Sequence, residues 1–162
     1  MENRWSGQVL DRAAAAAWAM DMRAAGRAVV FTNGCFDLLH RGHVDYLQRA
    51  RGLGDALVVG LNGDASVRLL KGAGRPILPE ADRAAVLASL RAVDVVVIFH
   101  EPTAEALVAA LQPALYVKGG DWDGTKRTPP EAAVALSYGG RVQTIPYLPG
   151  RSTSEIVAQI RS

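Results

Sequence analysis

The 162-residue sequence predicts a doubly wound α/β domain, a five-stranded parallel sheet with helices on both faces, preceded by an N-terminal helix. Three observations predict it. Short runs of apolar and β-branched residues recur along the chain, segments of helical periodicity separate them, and turn residues punctuate the junctions. Continuous apolar strands alternating with helices imply a parallel sheet covered on both faces. A composition of 49% hydrophobic and 21% charged residues suits one globular domain of this length.

The elements follow in order. The alanine-rich stretch from Ala13 to Met20 reads as an exposed or partly packed helix ending near Gly26. Asp11, Arg12 and Asp21 bracket it, so it is neither a signal peptide nor a membrane span. Residues 1–27 form an extension, on this reading, and 28–162 the domain proper. Ala28–Thr32 (AVVFT) is the first strand; Val44, Leu47, Ala50 and Leu53 then recur at helical spacing, with Gly54 as the stop. Ala56–Leu61 is the second strand, and Asp64 caps a short helix to Leu70. A loop rich in glycine and proline runs from Gly72 to Pro79, before a helix over Glu80–Val93 and a third strand over Val95–Phe99. Thr103 opens a helix to Leu111, and Leu115–Val117 is the fourth strand. Pro129–Tyr138 is a helix with Gly139 past its end, Arg141–Ile145 the fifth strand, and Ser152–Arg161 the last helix. The arrangement is Rossmann-like, so ligands are expected at the carboxyl ends of the strands, near the switch point.

Charge and cysteine content exclude several classes. The 18 Lys+Arg against 16 Asp+Glu give a net charge of +2, and no basic block runs along the chain, which argues against a nucleic-acid partner. The single cysteine, Cys35, permits no intrachain disulfide and fits a reducing cytoplasm. No run is long and apolar enough for a membrane helix.

The loop after the first strand carries the chemistry: Thr32, Asn33, Gly34, Cys35, Phe36, Asp37, Leu38, Leu39, His40, Arg41, Gly42, His43. Two of the three histidines fall here, immediately before a helix. A helix N-terminus attracts phosphate through its unpaired N–H groups and partial positive charge. Two imidazoles beside it add donors that follow charge as it builds on phosphorus. Gly34 and Gly42 let the backbone approach a ligand. A metal site of Cys35, Asp37, His40 and His43 has suitable ligand types, but no paired ligand pattern recurs. His100 ends the third strand and reads as structural, and Cys35 beside Phe36 as a small buried residue. No G-x-G-x-x-G follows the first strand, and Gly119–Arg127 has Thr125 and Lys126 in reverse order for a P-loop.

The string TNGCFDLLHRGH resembles the signature of the HxGH nucleotidyltransferase superfamily, with His40 and His43 as its histidines. Further segments match in order: Leu61-Asn62-Gly63-Asp64, Leu70-Lys71-Gly72, Arg75-Pro76-Ile77 with Arg83, Tyr116 to Asp121 (YVKGGD), and Ser152-Thr153-Ser154. Within the superfamily the chain is most similar to the D-glycero-β-D-manno-heptose 1-phosphate adenylyltransferases, in a stand-alone form without a sugar-kinase domain. The loop Trp122–Pro130 and Arg151 depart from that pattern.

The resemblance implies attack of a sugar phosphate on the α-phosphorus of ATP, with Mg²⁺ accompanying the triphosphate. It gives His40, His43 and Lys71 catalytic roles. It places Thr32, Asn33, Gly34, Cys35, Phe36, Gly42, Ser152, Thr153 and Ser154 around the nucleotide. Asp37, Asn62, Arg83, Lys118, Gly119 and Asp121 fall to the sugar phosphate, with Asp37 and Asp121 suiting either sugar hydroxyls or Mg²⁺. Ser152 with Glu155 also fits a helix capping box. The expected enzyme is cytoplasmic, acts on small molecules, and takes a homodimer as its default state. Two alternatives stand beside it: a cytidylyltransferase acting on glycerol 3-phosphate or another phosphoalcohol, and a nucleotide-binding module without turnover.

Overall fold

The predicted alternation is present, in a sheet of six strands rather than five. A computed structural model describes residues 7–120 and 128–162. Its elements are β1 (Gln8–Val9), α1 (Arg12–Ala24), β2 (Val29–Gly34), α2 (Arg41–Arg51), β3 (Ala56–Asn62), α3 (Asp64–Lys71), α4 (Glu80–Ala88), β4 (Val95–Phe99), α5 (Glu105–Leu111), β5 (Leu115–Gly119), α6 (Pro130–Ser137), β6 (Arg141–Ile145) and α7 (Thr153–Arg161). The strands are parallel in the order β1-β4-β3-β2-β5-β6.

Alternation along the strands divides the core between the two faces of the sheet. Phe31, Val58, Val97 and Tyr116 pack with Leu107, Leu111 and Ala132 of α5 and α6. Val30, Leu57, Val59, Val96 and Val117 pack with Leu47 of α2 and Leu87 of α4. β3 is buried along its whole length, as a central strand covered on both faces must be.

The sixth strand comes from the N-terminal segment. Gln8 and Val9 are exposed and pair with Val95 and Val96 through the main chain alone, so no apolar run announces them. The helix behind them is more than partly packed. Ala15, Ala19 and Met22 are buried against the sheet, their small side chains letting α1 lie close to it. Arg23 of α1 also donates to the carbonyls of Leu111 and Gln112 at the end of α5.

Two helix boundaries differ in ways that matter for the site. The helix expected from Val44 begins at Arg41, with His40 as its N-cap. Gly63, not Asp64, caps α3, which frees the Asp64 carboxylate to pair with Arg83. Other differences are local. α4 stops at Ala88, where Ser89 turns back onto Ala85, and α5 starts at Glu105, whose carboxylate accepts from Thr103.

The strand order reverses between β2 and β5, since β3 and β4 extend the sheet one way and β5 and β6 the other. A crevice therefore opens beyond Gly34 and Gly119, at the carboxyl ends of those two strands.

Candidate active site

A cleft of about 530 Å³ occupies that crevice. Its floor is the loop leaving β2. Asn33 lines it and accepts a hydrogen bond from the Tyr116 hydroxyl at 3.0 Å. Phe36 adopts a left-handed conformation (φ 42°), which folds its ring back over Gly34, where a Cβ would meet it at 3.0 Å. Strain held at such a position is a mark of functional loops. Cys35 also lines the cleft, and burial pushes its thiol pKa up, so it is held protonated.

The two histidines are arranged by the start of α2. His40, in extended conformation, is the N-cap, and its Nδ1 accepts from the Gly42 amide at 3.1 Å. Its neutral ring therefore carries its proton on Nε2. His43 lies in the first turn, with its ring stacked 3.9 Å from that of His40 and edge-on to Phe36 at 5.2 Å. Burial, with His40 adding to it, lowers the His43 pKa to about 4. Burial also lowers His40, with Glu155 opposing and Arg151 assisting. His43 Nδ1 is buried and has no hydrogen-bond partner among the described residues.

The α3–α4 side supplies cations. Lys71, the last residue of α3, is exposed and lines the cleft. Arg75 lines it as well, with Nε donating to Asp37. Asp37 is buried and accepts from the Ile77 and Leu78 amides as well as Arg75. Burial works to raise its pKa, but the two amides and Arg75 outweigh it and hold the carboxyl below its ordinary range. Asp37 thus fastens the central loop and also lines the cleft.

Arg83 differs most from expectation. Its side chain is fully buried beneath the cleft, donating to the carbonyls of Leu78, Cys35 and Asn62 and to the Asp64 carboxylate. It holds three loops together and does not line the cleft. Asn62 does line it, and its side-chain amide donates to Ser66.

Thr32 and Lys118 also lie off the cleft surface. Thr32 is buried, its hydroxyl 2.7 Å from that of Tyr46, which in turn donates to the Val117 carbonyl. Lys118 shares the Tyr116 face of β5, because successive strand residues alternate. Gly119 lines the cleft beneath the exposed Tyr147 ring, which a Cβ there would approach to 2.5 Å and push aside. Asp121 and the loop residues 121–127 lie outside the described residues.

The last wall is the N-terminus of α7. Ser152 is its N-cap and accepts from the Glu155 amide at 3.2 Å, the main half of the expected capping box. Thr153 donates to the Leu38 carbonyl at 3.0 Å, which ties α7 to the histidine loop. Ser152, Thr153 and Ser154 all line the cleft. Two helix N-termini, those of α2 and α7, therefore converge on one space.

Among cleft residues, sequence reasoning gave no role to Tyr46, Leu70, Arg75, Tyr147, Leu148 and Arg151. Tyr46 had an available signal: it follows His43 by three residues on α2 and so shares its face. Arg151 stood out as a departure, and its Cβ lies where it would meet a Cβ on Gly42. Among the described residues no group of three or more His, Cys, Asp or Glu side chains could hold a metal ion, and no helix is long and apolar enough to cross a membrane.

A crevice at the switch point, faced by two helix N-termini and two neutral imidazoles, suits a phosphate-bearing ligand, and the class it points to is nucleotidyl transfer of the HxGH type. Comparison with known proteins agrees. A family model described as cytidylyltransferase-like matches residues 31–157. The chain belongs to the cytidylyltransferase-like family of HxGH nucleotidyltransferases. It is 56% identical over 137 residues to the bifunctional protein HldE of Geotalea uraniireducens, a match covering 85% of this chain and 28% of that one. With HldE of Wolinella succinogenes it is 49% identical over 154 residues, covering 95% and 31%. The chain thus spans less than a third of these relatives. A crystal structure titled as the lipopolysaccharide core biosynthesis protein from Thermoplasma volcanium superposes with a TM-score of 0.62 at 29% identity, covering 76% of this chain and 98% of that one.

Proposed function

We propose that this domain transfers an adenylyl group from ATP to D-glycero-β-D-manno-heptose 1-phosphate, giving ADP-heptose and pyrophosphate. The stacked His40–His43 pair at the start of α2, facing the start of α7, is the observation that supports it most. The heptose likeness of the VKGGD and STS segments, and the lipopolysaccharide title of the Thermoplasma volcanium structure, favour the sugar phosphate as acceptor.

An acceptor phosphate has a second pKa near 6 and is an anionic nucleophile at neutral pH, so no general base is needed. One of its oxygens forms a bond to the α-phosphorus. The bond from that phosphorus to the α–β bridging oxygen breaks, and its electron pair leaves with pyrophosphate. His40, with Nδ1 engaged by Gly42, offers Nε2–H to the phosphoryl oxygens, and His43 stands beside it as a neutral ring. The α2 and α7 N-termini draw the triphosphate tail, and Lys71, which lines the same cleft, neutralises its charge. The triphosphate would bring Mg²⁺ with it as part of the substrate, neutralising part of its charge.

Pyrophosphate release with MgATP and the heptose 1-phosphate, against a blank lacking acceptor, tests the proposal. Acceptor-dependent release is expected. Release only with CTP and glycerol 3-phosphate would replace both substrates, and nucleotide binding without release from any pair would make the domain a binding module.

A further inference from the structure

One cation of the cleft is incompletely bonded. The Arg75 side chain is only 17% exposed, and its Nε is engaged by Asp37. Its Nη1 and Nη2 make no hydrogen bond or ion pair among the described residues. Arg83 shows the contrast, spending all three nitrogens on four protein acceptors. Neither Nη1 nor Nη2 of Arg75 is shut off from solvent: among the described residues the buried side-chain atom left without a partner is His43 Nδ1, so both Arg75 nitrogens are open to the cleft. Asp37 has no more to give, since its oxygens also accept from Ile77 and Leu78.

The Nε bond fixes the guanidinium plane and leaves its two terminal nitrogens as a fork on the cleft wall. That fork matches two oxygens of a phosphate, which an ammonium cannot do. The cleft's charges fall into two groups. Arg151 and Glu155 act on His40, beside the helix N-termini. Lys71, Arg83 and Arg75 act on Cys35, with Asp37 opposing them. In an in-line displacement the nucleophile and the leaving group lie on opposite sides of the phosphorus. If the N-termini of α2 and α7 take the triphosphate tail, the acceptor enters from the side of Lys71 and Arg75.

We infer that Arg75 seats the phosphate of the acceptor, a phosphate monoester bound through Nη1 and Nη2, with Asp37 positioning the fork. The inference rests on the nucleotidyl-transfer reading above. It makes Arg75 a binding residue for one substrate and leaves the nucleotide to the other wall.

The test is a matrix of initial rates in which acceptor and MgATP are varied separately, for the unaltered protein, Arg75→Ala and Arg75→Lys. For R75A the KM for heptose 1-phosphate is expected to rise about 30-fold, the worth of one charge-assisted contact, with the KM for ATP within about threefold. R75K is expected to recover little of it, because lysine lacks the fork. A variant that folds incompletely loses kcat but keeps the ratio of the two KM values, so the readout survives poor folding. Equal increases in both KM values, or an increase for ATP alone, would overturn the inference. Failure of the unaltered protein to use heptose 1-phosphate sinks the parent reading instead, and the matrix is then run with CTP and glycerol 3-phosphate. Should neither pair turn over, calorimetric titration of each monoester without nucleotide decides. Binding lost in R75A supports the contact; equal binding in both proteins, or none in either, removes it.

Discussion

His40 Nδ1 accepts from the main-chain amide of Gly42 at 3.1 Å, so the residue that caps the helix also lines the cleft. The bond fixes both the ring's orientation and its tautomer. It also explains the glycine. A Cβ at Gly42 would lie 2.9 Å from His40 Cε1, 3.0 Å from Nδ1 and 3.2 Å from Arg151 Cβ. Gly42→Ala is therefore expected to fold and to displace the imidazole, with kcat falling about 100-fold, as misplacements of this size do. Steady-state kinetics beside a thermal melt checks it; an unchanged kcat would mean that the ring's placement is immaterial.

His43 should show its environment through pH. Its folded-state pKa is lowered to about 4 by burial and by His40, while the unfolded chain titrates near 6.5. Between those values the unfolded state binds more protons, so the His43 contribution to stability is intact above about pH 6.5 and drains away as pH falls toward 4. Denaturant unfolding at a series of pH values is expected to show a steeper acid decline for the unaltered protein than for His43→Gln. At neutral pH the same variant is expected to lose 100- to 1,000-fold in kcat, roughly the value of one transition-state donor, while nucleotide affinity changes little.

The legibility of the sequence varies with where the stabilising contacts lie. Val95–Phe99 and Arg141–Ile145 are strands in sequence and structure alike, because their residues declare a pleated surface locally. Gln8–Val9 is invisible for the opposite reason, since an exposed edge strand held by amides and carbonyls has no side-chain pattern. The same division runs through the cleft. His40, Gly42 and His43 are neighbours in sequence, and their spacing is their geometry. Asp37 and Arg75 stand 38 positions apart, and nothing in either segment says that one carboxylate will be consumed by the other's guanidinium. Arg83 carries the same lesson: an arginine on a helix looks available until three carbonyls from separate loops close around it.

Asp37 tests the clamp directly. Its side chain is 1% exposed and joins the β2 loop to Arg75, Ile77 and Leu78. Asp37→Asn removes the charge, and its amide turns an N–H toward donors that need acceptors. A loss of about 3 kcal/mol is expected, in line with breaking one side of a buried ion pair. The carboxyl is held below its ordinary range by the amides and Arg75, against burial, so the stabilisation it supplies is present above pH 4 and is lost as pH falls through its depressed value. Chemical denaturation at pH 7 and pH 3 measures both effects, and D37N should narrow the gap between the two conditions.

Arg83 and Lys71 separate framework from chemistry. Arg83 is fully buried and holds the loops of Cys35, Asn62 and Leu78 from beneath, whereas Lys71 is exposed at the rim of the cleft with no hydrogen bond or ion pair among the described residues. Arg83→Met strands three carbonyls and the Asp64 carboxylate, and should cost about 3 kcal/mol or more. Lys71→Met removes a solvated cation and should leave the melting temperature within a degree or two, on the rule that such surface changes are worth under about 0.5 kcal/mol. Its effect belongs on turnover, where a lost charge-assisted contact to a phosphate is expected to lower kcat/KM about 10- to 100-fold. Paired melts and rates decide the matter: a stable but inactive R83M, or an unstable but active K71M, would reverse the two assignments.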